Sequence, residues 1–109
     1  MSKQDKNCQV PTPIKYVEQM LDYVGYKRDL WGHKVLENSC GEGNILIEIV
    51  KRYIADAKRN RYTPQEIVEG LENDVIAYEV DQKKIDTCLA RLNNLSSLEK
   101  LPEIKWNIK

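Results

Sequence analysis

The stretch VLENSCGEGN, residues 35–44, constrains the fold of this chain more than any other. HKVLEN is a short apolar run with a β-branched residue and suits a buried strand. It gives way to glycines at 41 and 43. Then Ile45, Leu46, Ile49, Val50, Tyr53, Ile54 and Ala57 recur on one helical face. A strand, a glycine loop and an amphipathic helix in that order open a unit whose ligands bind beyond the carboxyl ends of the strands.

The rest of the chain continues the alternation. In VPTPIKYVEQMLDYVGY, Thr12 can cap a helix and Pro13 suits its first turn. Ile14, Val17, Met20, Leu21 and Val24 form its apolar face, with Gly25 as its stop. KRDLWGH reads as a polar turn. TPQE, Thr63 to Glu66, is a capping box that opens a helix to about Asn73. VIAYEVD is the next strand, and Asp81 can cap a helix carrying Ile85, Cys88, Leu89 and Leu92. Pro102 and EIKWNIK end the chain as a third strand. The order helix, strand, helix, helix, strand, helix, strand predicts an α/β fold with parallel strands and crossover helices.

At 109 residues the chain holds one domain at most. Three strands make a thin sheet, and no helix follows the last to cover it. The chain is therefore expected to be the first part, residues 1–109, of a larger domain. Its exposed third strand predicts self-association through the unpaired sheet edge.

Lysine plus arginine equals aspartate plus glutamate at 17 each, which excludes a globally basic surface for nucleic acid. Lys51, Arg52, Lys58 and Arg59 form a local basic stripe, read as a solvated helix face rather than a phosphate contact. No apolar run approaches the ~20 residues that span a membrane, and the N-terminus lacks a signal-peptide core. Three cysteines without metal spacing point to the cytoplasm, with neither a disulfide framework nor a metal site. Cys40 reads as a packed loop residue, and the single histidine, His33, is given no role.

The charges around the loop select a ligand class. The dinucleotide fingerprint is incomplete, because Leu46 stands where its third glycine belongs. Glu37 and Glu42 flank the loop and would repel a pyrophosphate. They favour S-adenosyl-L-methionine, which carries an ammonium and a sulfonium. A nucleoside cofactor also needs an acid at the end of the second strand to accept from the ribose hydroxyls. Glu79 and Asp81 both qualify, and alternation puts them on one face.

TPIKYVEQMLDYV, VLENSCGEGNILIEIVKRYI and IAYEVDQKKIDTCLARL together resemble motifs X, I and II of the gamma-class N6-adenine DNA methyltransferases of restriction–modification systems. The resemblance covers roughly residues 10–95. It implies a class I S-adenosylmethionine-dependent methyltransferase fold, Rossmann-like, with about three parallel strands in this part. Thr12 and Pro13 would border the methionine end of the cofactor. Glu37, Ser39, Cys40, Gly41 and Gly43 would form the motif I loop. Glu79 would be the ribose-binding acid, and Val80 would pack against the adenine.

The implied function is methyl transfer from S-adenosylmethionine to adenine N6 in double-stranded DNA, without a metal. The family's motif III and its Asn/Asp-Pro-Pro-Tyr/Phe motif have no counterpart here, and there is no Pro-Pro pair. This chain is thus expected to carry cofactor-binding residues only, to be inactive alone, and to reach DNA through regions it does not contain. Two other readings are a part of an NAD-binding oxidoreductase and a non-catalytic regulatory or assembly subunit with a vestigial cofactor fold.

Overall fold

The structure, a computed structural model, describes residues 14–38 and 43–109. The expected order of elements is present. Helix α1 (Ile14–Tyr23) precedes strand β1 (Val35–Asn38), followed by α2 (Asn44–Arg59) and α3 (Pro64–Asp74). Then come β2 (Val75–Tyr78), α4 (Gln82–Leu98) and β3 (Asn107–Ile108). The three strands form one parallel sheet in the order β1-β2-β3. This is an α/β architecture with four helices among the described residues.

The starts of α3 and α4 follow from their caps. Thr63 accepts from the Glu66 N–H at 3.1 Å, and Glu66 Oε1 accepts from the Thr63 N–H at 2.8 Å. Asp81 Oδ1 accepts from the N–H groups of Lys83 and Lys84. Two backbone donors at each helix start are thereby satisfied by side chains, and Pro64 removes a further one at α3. Gly25 ends α1 as expected: at φ 81° it lets the Tyr26 N–H reach back to the Leu21 carbonyl at 2.9 Å.

Both crossovers carry the chain one strand further in the same direction. Right-handed connections therefore place their helices on one face of the sheet. Residues pointing to that face, Val75 and Ala77, are buried. They join Leu46, Ile49, Val50, Tyr53 and Leu71 in the core, with Leu92 arriving from α4. The opposite face carries Leu36, 61% exposed, and Tyr78, 41% exposed. HKVLEN is thus not a strand buried on both sides. It lies half-buried, because no described element covers the second face.

Helix α1 and strand β3 also depart from the pattern of their sequences. Only Val17 and Leu21 of the α1 face are buried, while Ile14 and Val24 are exposed. A ten-residue helix lying across α2 meets it over a narrower stripe than its pattern allows. The third strand is also shorter than EIKWNIK. The Lys105 N–H donates to Glu72 Oε2 at 2.8 Å, and the Trp106 indole donates to Asn93 Oδ1 at 2.8 Å. These bonds to side chains of α3 and α4 hold the approach to β3 out of the ladder, and pairing begins at Asn107.

A buried polar network fixes the turn between α1 and β1. Asp74 Oδ2 accepts from the Gly32 N–H and from the Tyr53 hydroxyl, both at 2.6 Å. Asp56 Oδ2 accepts from the Leu30 N–H at 3.0 Å. Trp31 stacks on Tyr62 with ring centroids 4.6 Å apart, and its indole donates to the Glu66 carbonyl. Gly70 makes room for this: any Cβ there would collide with the Tyr53 hydroxyl and the Trp31 indole. These contacts tie the turn that leads into β1 to the helices beneath it.

Candidate functional site at the carboxyl ends of the strands

Glu37 is the third residue of β1, paired with Ala77 on the helix-covered side of the sheet. Its carboxyl is half-buried, and burial pushes its pKa above the usual value for a glutamate. No hydrogen-bond donor or cation among the described residues reaches it. A carboxylate that loses water without gaining a partner is unfavourable unless something cationic completes it. Such perturbed groups at strand ends are candidates for binding sites.

Glu79 follows β2 directly. Its N–H donates to the Lys109 carbonyl at 3.0 Å, which keeps the backbone extended beside β3. Alternation then carries Glu79 to the same face as Glu37 and Ala77. Its Oε2 accepts from the N–H groups of Val80 and Asp81, both at 3.0 Å, so the turn orients the carboxylate. Asp81 is occupied as the cap of α4. The two acids that alternation left equivalent therefore have different surroundings. Val80 is 99% exposed at the strand end, an apolar side chain without a protein neighbour to cover it.

Gly43 closes the glycine loop and begins α2 at φ 87°, without a side-chain cap. The first N–H groups of α2 thus lie at the carboxyl end of the sheet, with no capping side chain on Gly43 itself. Thr12, Pro13, Ser39, Cys40 and Gly41 lie outside the described residues. Of the candidate residues, Glu37, Gly43, Glu79 and Val80 are described, and they gather at one end of the sheet.

Three residues escaped the sequence reading. A Cβ on Gly43 would lie 2.5 Å from Cys88 Sγ, so the loop exit rests on that thiol. Burial pushes the Cys88 thiol up, Arg91 opposes this and Glu79 adds to it. The acid at the end of β2 and the exit of the loop therefore share one neighbour. Arg91 Nη1 donates to Asn44 Oδ1 at 2.7 Å, across 47 positions of sequence. Cys88 had registered only as an apolar helix position, and no local pattern marks a pair as distant as Asn44 and Arg91.

The basic stripe on α2 is committed within the chain. Lys51 pairs with Glu48, Arg52 with Asp22, Lys58 with Glu99 and Arg59 with Asp56. Arg52 also donates to the Glu18 and Tyr26 carbonyls, which ties α1 to α2. A shallow groove of about 260 Å³ between α2 and α4 is lined by Ile47, Lys51, Arg91, Asn94, Leu95 and Leu98, none of them a candidate ligand residue. Among the described residues no helix is long and apolar enough to cross a membrane.

No known protein family matches the chain, and no curated protein matches it as a relative.

Proposed function

We propose that this chain is the cofactor-binding N-terminal part of an S-adenosyl-L-methionine-dependent N6-adenine DNA methyltransferase, with a class I methyltransferase fold. The observation that carries the proposal is Glu37. It is half-buried at the end of the first strand, unpaired among the described residues, and on the same sheet face as Glu79. An ammonium or sulfonium supplies the charge that Glu37 lacks, whereas a pyrophosphate would repel it. Glu79, oriented by two backbone N–H groups, suits a ribose diol. The start of α2, where Gly43 supplies no side-chain cap, suits the methionine carboxylate.

Bound there, the cofactor supplies an electrophilic methyl group. The chain's own residues bind and orient it. Adenine in DNA as the acceptor rests on the order of the three motifs, with the DNA-contacting and catalytic parts outside this chain. The cytoplasmic setting is part of the same reading.

Calorimetric titration of the chain with S-adenosylmethionine, S-adenosylhomocysteine and NAD tests it. S-adenosylmethionine should bind, and Glu37→Gln should weaken it about tenfold, the ~1.4 kcal/mol scale of one charge-assisted contact. S-adenosylhomocysteine, without the sulfonium, should lose less on the same substitution. NAD binding without S-adenosylmethionine binding would overturn the proposal in favour of an oxidoreductase.

A further inference from the structure

The start of α2 at Gly43 and the acid at Glu79 belong to different crossovers; α4 packs against the first through Cys88, which also lies within electrostatic reach of the second. Cys88 and Arg91 stand three positions apart, so they lie on one face of α4, a turn apart. Cys88, 5% exposed, packs its sulfur under Gly43 so tightly that no side chain fits there. Arg91 holds the Asn44 side chain at 2.7 Å through a charge-assisted bond. Gly43 and Asn44 are the first two described residues after the loop, and Gly43 has no side-chain cap of its own. Contacts from a helix 47 positions away thus anchor this helix start while leaving its first N–H groups open.

We infer that Cys88 and Arg91 are positioning residues: they clamp Gly43 and Asn44, at the start of α2, to α4 and so fix that helix start against the end of the sheet. The ligand part of this inference rests on the proposed cofactor site, but the clamp itself is independent of any ligand. Cys88 acts through volume and Arg91 through its bond to Asn44. Neither touches the cofactor in this account. Widening the space under Gly43 or releasing Asn44 would let the loop exit move while the sheet and α3 stay in place.

Hydrogen–deuterium exchange on the full chain, with and without S-adenosylmethionine, tests both parts. The amides to follow are 47–50, the first that bond within α2, beginning with the Ile47 N–H on the Gly43 carbonyl at 2.8 Å. Arg91→Met should speed their exchange about tenfold, the scale of one charge-assisted bond, and leave amides in α3 unchanged. Arg91→Lys, which retains a cationic donor, should restore much of the protection. Cys88→Ser should behave like the parent and Cys88→Met, too large for the space, like Arg91→Met.

Unchanged exchange at 47–50 in both Arg91→Met and Cys88→Met, with the fold intact by the α3 amides, would overturn the clamp. Should Cys88→Met fail to fold, Arg91→Met and its lysine rescue decide alone. Faster exchange in Arg91→Met without ligand protection of the parent would support the clamp and sink the cofactor reading. Ligand protection of the parent that Arg91→Met leaves untouched would do the reverse.

Discussion

Half-burying the Glu37 carboxyl removes water from its charged form, and no described neighbour replaces that water. Its folded pKa lies above its unfolded value of about 4.3. The native chain therefore holds this proton to higher pH than the unfolded chain does. Stability falls as pH rises from that value through the raised one, and the loss persists at neutral pH. Glu37→Gln should remove this fall and raise stability at pH 7 by under about 1 kcal/mol, once solvent screening is allowed for. Urea unfolding at pH 4 and pH 7 checks it. A larger loss of stability at pH 7 than at pH 4 on substitution would contradict the account.

Two tyrosines offer a matched comparison at the same scale. The Tyr53 hydroxyl donates to Asp74, whereas the buried Tyr26 hydroxyl has no partner among the described residues. Burial, then the nearby carboxylates, raise both phenols above their ordinary value of 10.0. Both therefore keep their protons when the unfolded chain loses them, so stability should decline as pH climbs past about 10. Tyr53→Phe should cost about 1–2 kcal/mol, because it leaves Asp74 short of a donor. Tyr26→Phe should cost nothing or stabilise slightly. Equal losses in chemical denaturation would refute the distinction.

At the scale of elements, the helix ends show what pattern reading could reach. Gly25 announces the end of α1, but α2 and α4 end in the same bond pattern with other residues at the turning point. Arg61 stands at φ 68° and Lys100 at φ 59°. The Tyr62 N–H returns to the Ala57 carbonyl, and the Leu101 N–H to the Ser96 carbonyl, each at 3.0 Å. Left-handed backbone is strained for a lysine and relaxed for glycine, although glycine also loses more freedom on folding. Lys100→Gly should therefore stabilise the chain by about 0.5–1 kcal/mol, read as a higher urea midpoint at unchanged slope. A lower midpoint would show that the Lys100 side chain contributes more than its backbone strain costs.

At the scale of the whole molecule, all the helices that cross between strands lie on one side. Leu36 and Tyr78 are left facing outward, and the outer edge of β1 is unpaired among the described strands. Parallel sheets are ordinarily covered on both faces, and an open edge beside an apolar face promotes pairing. The chain should self-associate, with a mass that rises with concentration in light scattering after size exclusion. The longer β1 edge is the stronger candidate, since β3 contributes only two residues. Leu36→Lys should move the association midpoint up by about tenfold or more. A monomer at every concentration would count against the prediction.

The order of the elements, the capping box at Thr63, the cap at Asp81 and the apolar face of α2 are all legible in the residues. Each depends on neighbours within one or two turns, where spacing translates directly into geometry. The sequence also brought Glu37 forward through charge near a glycine loop, and Glu79 beside Asp81 as an acid at the end of the second strand; the resemblance to the methyltransferase motifs added Gly43 and preferred Glu79. Packing in three dimensions, by contrast, leaves Glu37 without a described partner, covers β1 on one face and pairs the α2 cations internally. It alone brought Asn44 to Arg91 and Gly43 to Cys88. Those outcomes depend on which residues meet across dozens of positions, and that is set by the direction of the crossovers and the packing of helices. No local pattern encodes such distances.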